Sequence, residues 1–182
     1  MGIEIDFSWK IAKQWKLEGV GSFGDWIWNS KGIQTKPDGT VIEFDPTGVH
    51  VGDAAQTQIG GGIRFEPRRG MYVSTRSYFF GKNYSNFDPE SLQNANARRE
   101  SWKQPDYFLS DVHFGYQIRK RNEPTVDIRL SILNVFNTRY ISDARNNDTL
   151  GSATATSNFD ASSATVFYGQ GRRWTVSLEV SF

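Results

Sequence analysis

At 182 residues and a net charge of +1, the chain is long enough for one domain with a sizeable core and too nearly neutral to point to nucleic acid. It contains no cysteine, which excludes disulfides, zinc–thiolate sites and thiol nucleophiles, and no apolar run long enough for a transmembrane helix. Aromatic residues make up 14% of a chain whose charged residues reach 23% and whose mean hydropathy is −0.55. That combination places rings at boundaries rather than in a large aliphatic core.

In chain order the dominant signal is strict two-residue alternation. The first strand, Ile3 to Ile11, sets Ile3, Ile5, Phe7, Trp9 and Ile11 against Glu4, Asp6, Ser8 and Lys10. A second is expected from Trp15 to Asn29, then a long turn-rich stretch with Pro37-Asp38-Gly39 and Asp45-Pro46. A third, Thr57 to Phe65, groups Ile59, Ile63 and Phe65, and a tight turn at Pro67–Gly70 leads to a fourth from Met71 to Lys82. After a loop comes the fifth, Tyr107 to Arg119, with Phe108, Val112, Phe114, Tyr116 and Ile118 opposed to Asp111, His113, Gly115 and Gln117. Beyond a turn at Lys120–Pro124, the sixth sets Val126, Ile128, Leu130 and Ile132 against Asp127, Arg129 and Ser131. A third loop, Ser142 to Gly169, precedes the seventh strand, where Trp174, Val176, Leu178, Val180 and Phe182 alternate with Thr175, Ser177, Glu179 and Ser181 up to the last residue.

Connections alternate short and long, so tight turns gather at one end of the sheet and long loops at the other. The turn end carries Lys10, Lys13, Lys16, Arg68, Arg69, Arg119, Lys120 and Arg121, with Glu66 and Glu123 the acids beside them. The loops hold Asp38, Glu43, Asp45, Asp53, Asp88, Asp143, Asp148 and Asp160. Long two-faced strands with this parity predict an all-β, antiparallel up-and-down meander of about seven strands belonging to a transmembrane β-barrel. Trp9, Trp15, Trp174 and Phe182 near the turns, and Trp26, Trp28, Tyr107 and Phe108 near the loops, fit two interfacial girdles. The alternatives are a soluble β-sandwich carbohydrate-binding module, or a small self-contained outer-membrane barrel with a structural or adhesive role. The barrel would need one more strand, for which Thr40–Phe44 is the candidate.

Chemical motifs are few. Gly19 to Gly24 matches a GxGxxG fingerprint, but strand rather than helix follows it, so no pyrophosphate site is expected; Gly60-Gly61-Gly62 reads as close strand packing. His50 and His113 stand alone, and Asp143–Asp148 offers oxygens for Ca²⁺ without EF-hand spacing. No catalytic residues, metal site or cofactor are expected; the chain does not read as an enzyme.

Further stretches carry a resemblance. In order they are Tyr84–Pro89, Trp102–Tyr107, Leu109-Ser110-Asp111, the run Leu133-Asn134-Val135-Phe136-Asn137-Thr138-Arg139-Tyr140-Ile141-Ser142-Asp143-Ala144, and Phe167–Arg172. Together they resemble the C-terminal end of TonB-dependent outer-membrane receptors, in the branch whose full chains begin with a carboxypeptidase-regulatory-like domain. The family's barrel has twenty-two strands around a plug. The resemblance implies that residues 1–182 are the last seven of those strands, without the plug and the N-terminal barrel strands. It implies import of a scarce bulky ligand (siderophore, glycan or peptide) driven through TonB, in which this piece alone is not competent. Implied partners are the rest of the barrel and its plug, TonB through the absent N-terminal part, outer-membrane lipid and the assembly machinery. Location would be the outer membrane of a Gram-negative bacterium, with a periplasmic C-terminus and extracellular loops. Trp174, Val176, Leu178, Val180 and Phe182 would face lipid as an assembly signal. Arg76, Asp111, His113 and Arg129 would be plug contacts or water-lining residues, and Phe44, Tyr84, Phe87 and Phe159 are the candidate ligand-loop contacts.

Overall fold

The computed structural model describes residues 1–93, 99–119, 124–146 and 158–182. Seven long strands form one antiparallel sheet in sequence order: β1 (Gly2–Ala12), β2 (Trp15–Gly24), β5 (Thr57–Arg68), β6 (Met71–Gly81), β8 (Tyr107–Ile118), β9 (Thr125–Leu133) and β12 (Arg173–Ser181). Five shorter strands lie in the loops: β3 (Gly32–Thr35), β4 (Val41–Phe44), β7 (Asn86–Phe87), β10 (Ile141–Asn146) and β11 (Ala164–Tyr168). At about 3.3 Å per residue the long strands reach roughly 30–40 Å, enough to cross a tilted apolar band.

Register shows why these strands pair as they do. Directly opposed residues share a face, and one row runs across all seven strands: Trp9, Leu17, Ile63, Thr75, Val112, Ile132 and Trp174. Another begins at Trp15 and passes through Phe65, Val73, Phe114, Leu130 and Val176. The apolar faces expected for the strands beginning at Ile3, Thr57, Tyr107, Val126 and Trp174 therefore lie on one side of one sheet. The row one residue along, on the opposite face, is Lys10, Lys16, Arg64, Ser74, His113, Ser131 and Thr175. A one-residue slip anywhere would exchange the two faces, so the alternation itself fixes the register.

The apolar side stays bare: Ile3 is 65% exposed, Trp174 63%, Val176 72% and Leu178 68%. No second sheet covers it among the described residues, which removes the sandwich alternative. Nor do the ends close on each other, since β1 and β12 are the two edges of the sheet. Val41–Phe44 is a strand, but it pairs with β3 in a separate hairpin and adds nothing to the sheet.

Two boundaries and the face of one residue differ from expectation. The second strand leaves the sheet at Gly24, whose N–H donates to the Gln56 carbonyl (2.7 Å). Trp26 and Trp28 follow in loop structure, and Trp28 packs edge-on against Phe87 instead of joining a girdle. Tyr107 lies on the polar face opposite Phe80, leaving Phe108, opposite Phe79, on the apolar face. Around Pro67 the ladder continues through a register irregularity to Arg68, so the turn narrows to Arg69-Gly70, with Gly70 at φ 81°. Lys120, Arg121 and Glu123 of the third turn, and Asp148 of the third loop, lie outside the described residues.

Among the described residues the buried hydrophobic core consists of Ile42, Val49, Ala55, Tyr84, Phe87, Leu92, Ala144 and Phe159, none of them in the seven-stranded sheet. The described core thus sits in the loops, at one end of a sheet whose broad apolar face is left exposed by the described residues.

Candidate functional site

The three long loops build one cap. Val49 from the first loop, Phe87 and Leu92 from the second and Phe159 from the third form its core, with Phe44 and Trp102 packed against it. Parallel pairing of β7 with β10, and antiparallel pairing of β10 with β11, stitches the second loop to the third. Beneath that seam the fully buried Ser85 donates through Oγ to Asn146 Oδ1, and Asn146 Nδ2 donates to Ser163 Oγ (2.9 Å). Buried polar groups need such partners, and here the partners come from different loops. The Arg99 guanidinium lies 3.9 Å from the centre of the Phe159 ring; an Arg145–Asp88 ion pair (3.2 Å) adds a peripheral tie.

Glu100 is the hub. Its carboxylate accepts from the His50 backbone N–H (3.0 Å) and lies 2.8 Å from His50 Nδ1. Its carbonyl accepts from Phe159 N–H (3.0 Å), and its own N–H donates to Asn158 Oδ1 (3.0 Å). The other imidazole nitrogen of His50 faces Asp25 Oδ1 at 3.3 Å, and the ring stacks on Tyr84 at 4.1 Å. Burial, then the carboxylates of Glu100, Asp25 and Asp106, push the Tyr84 phenol up from its ordinary value. Burial and the neighbouring Asp143 carboxyl likewise raise Asp53, whose Oδ2 accepts from Asn86 Nδ2 (2.9 Å).

All four candidate loop aromatics meet in or beside this cap. Phe87, Phe159 and Tyr84 are buried, and Phe44 packs edge-on against Phe87 at 6.2 Å. They hold the loops to one another. His50, isolated in sequence, is bound into two carboxylates and a ring. No group of three or more potential metal-ligating side chains is assembled among the described residues, the Asp143–Asn146 stretch included.

Below the cap, the polar face of the sheet carries a ladder of rings. Tyr78 and Phe80 are 6.2 Å apart, Phe80 and Tyr107 4.9 Å, and Tyr107 and Tyr140 4.7 Å. Farther along the same face Arg76 pairs with Glu18 (3.3 Å), His113 Nδ1 with Ser131 Oγ (2.8 Å) and Arg129 with Glu179 (3.5 Å). Asp111 accepts from Asn134 N–H (2.8 Å). Each of the four polar wall residues singled out in the sequence therefore already has a partner within the wall.

The motif Asn134–Tyr140 is a corner. Asn134 and Asn137 take positive φ, 50° and 54°, conformations that asparagine tolerates better than other side-chain-bearing residues. Asn134 Nδ2 donates to the carbonyls of Thr138 (2.9 Å) and Gln170 (3.2 Å), and its Oδ1 accepts from Thr138 N–H (2.9 Å). Asn137 Oδ1 accepts from Arg172 N–H (3.0 Å). Two of the stretches that carried the resemblance, Leu133–Ala144 and Phe167–Arg172, thus meet where the third loop leaves β9 and returns to β12, and a third reaches them through Asp111. Trp174, Val176, Leu178 and Val180 lie opposite Ile132, Leu130, Ile128 and Val126 on the apolar face, and Phe182 projects beyond β12.

Among solved structures, the chain is similar to three receptors. The siderophore receptor PiuA from Acinetobacter baumannii superposes with a TM-score of 0.63 at 17% identity, over 100% of this chain and 21% of its own. Pseudomonas aeruginosa FpvA, in its complex with a heterologous pyoverdine and iron, gives 0.56 at 20% identity, over 97% and 19%. The ferric-catecholate import receptor Fiu from E. coli K12, open form, gives 0.52 at 13%, over 97% and 20%. The fold, an antiparallel meander of seven long strands, is that of a segment of these receptors' barrels. The chain spans about a fifth of the length of each of these neighbours, which are receptors rather than enzymes. No family model matches the sequence, and no curated protein matches it.

Proposed function

We propose that this chain is the C-terminal barrel wall of an outer-membrane active transporter that imports a scarce, bulky ligand, and that it acts only with the remaining strands and plug of its receptor. One observation carries the reading: the row from Trp9 to Trp174, apolar on every strand except β6, where it holds Thr75, and the polar row from Lys10 to Thr175 run side by side across seven strands. A surface this largely apolar suits lipid, and its polar reverse suits a water-filled or plug-filled lumen. The loop cap then lies outside the cell, the basic turns lie in the periplasm, and the wall supplies shape rather than chemistry. Siderophore, glycan and peptide all fit such a lumen; the neighbours' ligands favour a siderophore. Energy would enter through TonB and the plug. The bare edges of β1 and β12 are where the rest of the barrel would pair, because an unpaired edge in lipid costs several kcal/mol per backbone group.

The test is uptake. Cells lacking the receptor gene should lose accumulation of one labelled ferric siderophore, and a proton uncoupler should abolish it in the wild type. Unchanged uptake of every ligand class tried would overturn the transporter reading.

A further inference from the structure

The corner at Asn134–Tyr140 carries an arginine on each of its two arms. Tyr140 turns its ring to the polar face, where it stacks on Tyr107, so alternation takes Arg139, beside it, to the apolar side. Arg172 stands two residues before Trp174 and shares its side of the sheet. The corner holds it there: Arg172 N–H donates to Asn137 Oδ1 (3.0 Å), and the guanidinium donates to the Val135 carbonyl (3.4 Å). Both arginines are exposed, and neither forms an ion pair with a described residue.

Rings surround them. Phe136 leaves the corner beside Phe108 of the apolar face, the ring centres 6.1 Å apart. Gly169 faces the Tyr140 ring on the polar side, so Tyr168 next to it points the other way. Phe136, Tyr168 and Trp174 all stay largely exposed. An arginine on a lipid-facing surface is costly at the bilayer midplane and nearly free of cost at the headgroups, and exposed rings favour that same depth. A guanidinium there can give two parallel N–H bonds to one phosphate.

We propose that Arg139 and Arg172 bind the phosphate of an acylated lipid in the outer leaflet, with Phe136, Tyr168 and Trp174 against its apolar body. A free phosphate ion would use the arginines alone, whereas cations set among bare rings call for a phosphate joined to something apolar. The proposal rests on the reading of the apolar face as lipid-facing.

The experiment titrates the delipidated parent receptor, in uncharged detergent, with bis-phosphorylated lipid A, and counts bound lipid by native mass spectrometry. An R139Q/R172Q variant is expected to bind it about tenfold more weakly or worse, since each arginine at a charged lipid surface is worth roughly a factor of five. R139Q alone changes a side chain that bonds to no described residue; it should lose about fivefold, and it decides the matter if the double variant does not assemble. Lipid A stripped of its phosphates should not distinguish wild type from either variant. Equal affinity of wild type and R139Q for the bis-phosphorylated lipid would overturn the proposal, and so would displacement of that lipid by millimolar inorganic phosphate, the mark of a free-anion site. A wild-type receptor without heat-modified gel mobility is a different failure, that of the barrel reading; a sound barrel whose lipid binding ignores both arginines is the failure of this one.

Discussion

Gly169 lies against the ring of Tyr140 so closely that a Cβ on Gly169 would stand 1.9 Å from Tyr140 Cζ. The Gly169 N–H donates to the Tyr140 carbonyl (2.9 Å), and Tyr140 also stacks on Tyr107 at 4.7 Å, so the ring is held between two neighbours. Gly169→Ala should therefore push Tyr140 off the ladder and destabilise the folded receptor by about 1–3 kcal/mol, the usual cost of overpacking. Urea unfolding in detergent reads the loss. Adding Tyr140→Ala should recover part of it, since the two sites share one contact.

Much of this fold was legible because a half-apolar strand writes its register into the sequence. Trp9, Ile63, Val112 and Trp174 could be assigned to one face before any coordinates, and they fall in one row. The cap was not legible in that way. Its strands are as short as Asn86–Phe87, and Phe87, Phe159 and Val49 meet from three loops with no periodicity to announce it. Trp28 was placed at an interface for the same reason: alternation continues past Gly24, while the backbone turns away. The Asn134 motif could be seen, but its purpose depends on a positive φ that sequence does not state.

Asn134 is buried and makes its bonds through both ends of its amide. Replacing it by Ala leaves the Thr138 N–H and two carbonyls unpaired and puts a non-glycine, non-asparagine residue at φ 50°. The expected cost is about 2–4 kcal/mol. Protease cleavage of the third loop in intact cells should rise well before β9 and β12 separate.

Asp53 on the first loop and Asp143 on the third bring two carboxyl groups near one another. Because burial and Asp143 raise the carboxyl of Asp53, the folded cap holds this proton more tightly than the unfolded chain does. The stabilisation is complete below the ordinary aspartate range and is lost as pH rises through the raised value. Asp53→Asn, which keeps the hydrogen-bonding capacity without charge, should firm the cap at neutral pH by less than about 1 kcal/mol, since both groups meet solvent. Hydrogen-exchange protection at Asn86 and Ala144, corrected for the intrinsic rate at each pH, should fall from pH 4 to 7 in the wild type and fall less in the variant.

Produced by itself, the 182-residue chain should aggregate or need detergent. β1 and β12 are exposed along their whole length and offer two unpaired edges beside a wide apolar face. Size-exclusion chromatography in plain buffer checks this, and a monodisperse monomer would count against the lipid-facing assignment.

Phe182 brings the final strand to a test that separates assembly from binding. It stands past the end of β12, on the turn side of the sheet, while the cap lies at the far end of strands that span about 30 Å. If Trp174, Val176, Leu178, Val180 and Phe182 face lipid and are read during assembly, deleting Phe182 should reduce receptor in the outer membrane several-fold. An aromatic at an interface anchors the end of its strand, whereas ligand binding lies a strand length away and should be nearly unchanged per assembled molecule. Glu179→Gln makes a sound control. It loses an exposed ion pair to Arg129 and also removes a like charge directly opposite Asp127, so the two small effects oppose each other. Quantitative blotting of outer-membrane fractions, alongside ligand binding per assembled receptor, gives both readings. Normal assembly with weakened binding would place the C-terminus at the ligand end and invert the whole orientation.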